Sequence, residues 1–164
     1  MTASTRTKPQ NPSHTRYRDD LYTWVQEQVE LLRTGRLDEV DAVNVAEELG
    51  DVGRQQLFRL ESALAVLTMH ILKWDHQAGK RSRSWELTVG EQRRRIVKLL
   101  KKNPGLRSEL EEAVADGYAD GRDRALIETN LPFDALPVAC PYSFDEMMTR
   151  PIAYEPPAPR RKKR

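Results

Sequence analysis

Six large apolar residues, Leu57, Leu60, Leu64, Leu67, Ile71 and Trp74, recur at intervals of three, four, three, four and three. That alternation is the period of one face of an α-helix. Ala63, Val66 and Leu72 widen the stripe, so the helix over 57–74 should be enclosed on most sides and stand at the centre of the fold. An enclosed helix needs neighbours. Short connections between helical stretches favour antiparallel neighbours, and the expected class is an all-α, single-domain helical bundle of about five helices.

The neighbours can be read in order. A first helix is expected from about Asp19 to Thr34, with Leu21, Val25, Gln28 and Leu32 on one face, joined by Trp24 and Leu31. Asp19 or Asp20 suits its cap, and Gly35 suits the left-handed turn that ends it. Asp38 is expected to cap a second helix whose apolar positions are Val40, Val43, Ala46 and Leu49. Gly50 and Gly53 weaken helix propensity and point to a kink or short break before the central helix. A fourth helix starts near Ser82 or Ser84 and ends at Asn103-Pro104-Gly105; Trp85, Val89, Ile96, Leu99 and Leu100 share one face. A fifth is expected over about 106–129, with Ala113, Gly117 and Gly121 each one turn apart, a stripe that permits close helix approach. Residues 131–148 hold three prolines and read as a capping segment with a short helix at Ser143–Met148. Residues 1–17 read as a disordered leader with no hydrophobic centre, and 150–164 as a Pro-rich basic tail.

Of the 164 residues, 32% are charged, yet the net charge is only +2. The signs are segregated: Lys80–Lys102 holds nine cations against two carboxylates, while 36–61 and 106–128 each hold seven carboxylates against three arginines. Such segments can neutralise one another inside a fold, so segregation alone does not imply nucleic acid. No apolar run nears the roughly 20 residues of a membrane span. The single cysteine, Cys140, permits no intrachain disulfide and suits a cytoplasmic setting.

Several motifs occur in order: LLRTGRL at 31–37, DEVDAVNVAEEL at 38–49, MHILKW at 69–74, RSRSW at 81–85, EQRR at 91–94 and CPYS at 140–143. In that order and spacing the chain resembles the bacterial family catalogued as domain of unknown function 29, over about residues 19–148. The resemblance implies a small helical protein; it brings no activity, cofactor or catalytic residue to carry over. The chain departs from the family pattern at Gly50, Gly90, Gly117 and Gly121, where better helix formers are usual, so less regular helices are expected there.

Three groups of residues could carry chemistry. His70, Lys73, Trp74 and His76 gather near the end of the central helix, where a neutral imidazole can bind metal or act as a base. The plainer reading of His70 is a core-edge ring bonded to a backbone carbonyl or a carboxylate. Glu47, Glu48 and Glu61 offer carboxylates, but the Glu-x-x-His pair of bundle metal sites is absent; solvated acids, or acids paired with the fourth helix, are expected instead. Arg81, Arg83 and Trp85 could hold phosphate and stack on a base, and Arg94, Arg95, Lys98 and Lys101 form a cationic face opposite the apolar one. The plainer reading pairs Arg81 and Arg83 with Glu47, Glu48 or Asp51. Cys140 has no neighbouring base in sequence, and no Gly-rich phosphate loop or nucleophile elbow appears.

A non-catalytic helical module for self-association or for a protein partner is therefore expected, with no cofactor. Nucleic-acid or phosphate binding through 80–102 and the tail is the alternative; a metal or hydrolytic site around His70 is a weaker one.

Overall fold

The structure is a computed structural model that describes residues 16–156. The leader over 1–15 and the tail over 157–164 lie outside the described residues. Five α-helices are present among the described residues and no strand: α1 (Leu21–Arg33), α2 (Ala42–His76), α3 (Arg83–Lys102), α4 (Leu110–Thr129) and α5 (Phe144–Thr149). The fold is all-α. None of these helices is long and apolar enough to cross a membrane.

The chain divides into two compact units, residues 1–52 and 53–164. In the first, the Asp20 carboxylate accepts from the Thr23 N–H (3.0 Å) and starts α1. Gly35 closes it at φ 73°, the left-handed turn expected there. Trp24, Gln28 and Leu31 are the buried residues of α1, whereas Leu21 and Leu32 are exposed. The inward face is thus rotated from the expected one, because Trp24 takes Tyr17 edge-on (centroids 4.9 Å) and Gln28 Oε1 accepts from the Asp41 N–H (2.8 Å). Asp41, not Asp38, offers the first turn of α2 its carboxylate, to Asn44. Arg36 clamps Glu39 through two bonds of 2.6 and 2.5 Å and so holds the preceding residues in a turn.

The expected break at Gly50 and Gly53 does not occur. α2 runs unbroken through 35 residues. Two glycines cost a helix about 2 kcal/mol, but stopping and renucleating costs more, and each added turn makes its own hydrogen bonds. Helices α3 and α4 likewise run through Gly90, Gly117 and Gly121. Gly53 has an ordinary φ, and a Cβ there would meet open space. Gly53→Ala should therefore stabilise the fold by about 1 kcal/mol and raise the thermal midpoint by a few degrees; calorimetry of the variant checks this.

In the second unit, Leu60, Ala63, Leu64, Leu67 and Ile71 of α2 meet Val89, Ile96 and Leu100 of α3, Ala113 of α4 and Met147 of α5. A second cluster joins Met69 and Leu72 to Tyr118, Ala125 and Leu136. Central α2 residues are fully buried, as the seam requires. The small-residue stripe of α4 is a close approach: a Cβ on Gly117 would lie 2.7 Å from Leu64 Cβ, and one on Gly121 only 2.5 Å from the Ala65 carbonyl oxygen. Pro104, which cannot donate to a continuing helix, ends α3 as expected, but residues 106 and 107, expected in the next long helix, belong to a separate 3-10 turn over Pro104–Arg107. The short helix α5 forms as expected, with a full capping box between Ser143 and Glu146.

Candidate functional site

Polar side chains gather where α2 ends, α3 begins and α4 ends. His70 is buried on α2 (9% exposed), and its Nδ1 lies 2.8 Å from the Val66 carbonyl oxygen. A carbonyl only accepts, so Nδ1 carries the proton in the neutral ring. Burial disfavours the imidazolium and pulls the His70 pKa below its ordinary 6.5; Lys73 pushes the same way. The unfolded chain therefore takes up this proton first as pH falls. Stability should be full above about pH 6.5 and decline below it. Thermal midpoints measured between pH 7 and 5 should fall for the native chain and fall less for His70→Gln.

One turn on, Lys73 is 7% exposed. Its ammonium pairs with Glu128 of α4 and sits 4.7 Å from the ring centroid of Trp85, at the start of α3. Trp74 is buried, and the Arg81 guanidinium lies 5.0 Å from its ring centroid while Arg81 Nε donates to the Trp74 carbonyl (2.9 Å). Arg81 is thus tied to the end of the helix that precedes it. A last turn of α2 leaves carbonyls without helical donors, and Arg81 supplies one. His76 and Arg83 are exposed, so the seven residues do not converge as one set. Lys73 with Trp85 and Trp74 with Arg81 instead form two local stacks, and the Lys73–Glu128 pair ties α2 to α4, while His70 bonds within α2 itself.

Next to them lies a joint that sequence reasoning missed. Arg150 takes both oxygens of Asp75, and the Tyr142 hydroxyl donates to Asp75 Oδ2 (2.7 Å). Burial raises the Asp75 pKa, but the hydrogen bonds from Arg150 and Tyr142 outweigh it, and the carboxyl ends below the usual range. Arg93 of α3 donates to the carbonyls of Met147 and Arg150, both at 2.8 Å. Residues 150–156 continue across the second unit: Ile152 packs on the core, and the Tyr154 N–H donates to Glu86 (3.3 Å). Nothing in the spacing of Asp75, Tyr142 and Arg150 marks them as partners, since 67 and 75 residues separate the carboxylate from the other two. An open cleft of about 550 Å³ lies beside this segment, between Gly79, Arg81, Tyr154 and Glu155.

The cationic face of α3 stands as drawn from the helix wheel. Arg94, Arg95, Lys98 and Lys101 are exposed, and among the described residues none of the four has an ion pair. Glu61 faces Asp116, Asp120 and Glu112 of α4, and burial first, then these like charges, raise its pKa. Glu48 accepts from the Tyr17 hydroxyl (2.5 Å), a bond that pushes the phenol up to about 12. No group of three or more His, Cys, Asp or Glu among the described residues is arranged to hold a metal ion. Cys140 is half-buried; burial raises its thiol pKa, the opposite of what activates a nucleophile.

The family model "Domain of unknown function DUF29" matches residues 16–151. The chain belongs to the DUF29 family. The match spans all five helices and ends just after Arg150, so the Asp75–Tyr142–Arg150 joint lies within this DUF29 domain. No curated protein and no solved structure matches the chain.

Proposed function

We propose that this DUF29 protein is a non-catalytic, cytoplasmic interaction module of bacterial type, and that its contact surface is the first part of α2. The supporting observation is a mismatch within the first unit. At about 100° per residue, Asn44, Glu47, Glu48 and Asp51 share one half of α2. Every other position from 43 to 52 is Val, Ala, Leu or Gly, and these occupy the opposite half. It is the polar half that receives Tyr17, through Glu48. The middle of the apolar half stands open, with Val43 79%, Leu49 67% and Val52 56% exposed and Ala46 exposed beside them, while Val45 and Gly50 at its edges are half-buried. Soluble chains seldom leave a charge-free helix face uncovered without a partner for it. The cluster around His70, by contrast, spends its polar groups on internal bonds.

Light scattering of the purified chain, together with photo-crosslinking from position 46 in the source cells, tests the reading. Association in solution or a discrete crosslinked partner is expected, and both should disappear in Leu49→Glu while the helical circular dichroism stays unchanged. A strict monomer with no crosslink through this face overturns it.

A second reading has its own observation, the unpaired cations of α3. A phosphate backbone would bind Arg94, Lys98 and Lys101 with a steep salt dependence. Retention on DNA that is unchanged in the triple Glu variant removes that reading.

A further inference from the structure

The open face of α2 also carries information about what covers it. This inference rests on the interaction reading above and names the occupant. Two segments of the chain lie outside the described residues, 1–15 and 157–164. Their only large apolar side chain is Met1; the rest are Pro, Ala and polar or cationic residues. Neither has the chemistry to cover Val43, Leu49 and Val52.

The pattern of the face is symmetric. Read as apolar or polar, Val43–Val52 (VNVAEELGDV) is the same in both directions: one apolar, one polar, two apolar, two polar, two apolar, one polar, one apolar. Its midpoint falls between Glu47 and Glu48. A two-fold axis through an antiparallel helix pair demands this, since each residue then meets the surface its own copy presents in reverse. Sizes match as well as polarity. With the midpoint on the axis, Leu49 lies over Ala46 of the other copy along the centre line. On one edge Val45 meets Val52, and on the other Val43 meets Gly50. Large residues thus oppose small ones along the centre and one edge, and the face holds no charge that would repel its copy.

We infer that α2 pairs antiparallel with α2 of a second copy across Val43–Val52, forming a two-fold homodimer. The strip is only about 15 Å long. It is smaller than the roughly 800 Å² per partner of a standard interface, so the dimer should be weak, with a dissociation constant on the order of 10–100 µM.

Sedimentation equilibrium of the full chain over that concentration range should show a monomer–dimer equilibrium. Ala46→Glu, an exposed position and a good helix former, should weaken it by about a hundredfold because its carboxylate would be buried against Leu49. Helical circular dichroism and the thermal midpoint of the monomer confirm that this variant folds. Orientation is read by cysteines placed in a Cys140→Ser background. Chains carrying Val45→Cys mixed with chains carrying Val52→Cys should crosslink under mild oxidation. Val52→Cys alone should not, because its two copies would sit about 13 Å apart along the axis, beyond disulfide reach. A monomer at all concentrations, a dimer indifferent to Ala46→Glu, or ready self-crosslinking of Val52→Cys each overturns the inference. A monomer in solution whose position 46 crosslinks to a different protein in cells also overturns it, and leaves the interaction reading standing.

Discussion

Gly121→Ala should destabilise the protein by about 2 kcal/mol, although alanine is the better helix former. The added methyl would sit 2.5 Å from the Ala65 carbonyl oxygen, 3.0 Å from Thr68 Cβ and 3.1 Å from the Met69 nitrogen. Two of these three atoms are α2 backbone and have no rotamer through which to yield. Helix α4 must therefore draw away from α2, loosening the cluster of Met69, Leu72, Tyr118 and Ala125. Calorimetry should show a midpoint roughly 4–8 °C lower. Gly53→Ala is the internal control, since it adds the same atom to a helix with nothing in its way. Opposite signs at the two glycines are the expected result; equal signs would mean that α4 does not lie against α2 as described.

Arg122→Met should cost about 3 kcal/mol and act locally. Arg122 is 6% exposed, and its guanidinium serves the loop after α4. One terminal nitrogen donates to the Phe133 carbonyl (2.7 Å) and to Leu136 (3.3 Å), and Nε also reaches Leu136. The planar group lies 4.5 Å from the Phe133 ring centroid. Methionine keeps the apolar stem and leaves both carbonyls without these donors. Lysine should not rescue the loss, because a single ammonium cannot serve both carbonyls and stack on the ring. Amide hydrogen exchange should rise over 131–142, a loop that the Tyr118 hydroxyl also holds through the Pro137 carbonyl (2.6 Å), and stay unchanged over the Leu60–Ile71 core. Uniform exchange across the second unit would show that Arg122 supports the whole core instead.

Both predictions lie on α4, the helix that carries the small-residue stripe. Its stripe of Ala113, Gly117 and Gly121 was legible because small residues one turn apart have few purposes inside a helix. The proposed contact surface was only half legible. Val43, Ala46 and Leu49 were visible as apolar positions of a helix. That they face outward, while Glu48 faces Tyr17, required knowing which side of α2 receives α1.

The sequence by itself determined the all-α class, the central seam from Leu57 to Trp74, the approximate helix starts at Asp20 and Ser82, the short helix α5 and the cationic face of α3. These depend on residues within a turn or two of one another, where periodicity, capping and turn chemistry operate. Only the tertiary structure decided that α2 runs through Gly50 and Gly53, that Asp75 holds Tyr142 and Arg150, that Lys73 pairs with Glu128, and that Arg81 turns to Trp74. Those outcomes depend on groups brought together by packing, whose distance along the chain leaves no periodic trace. Helix cooperativity outweighed the local weakness of two glycines, and burial chose among several possible partners for each charge.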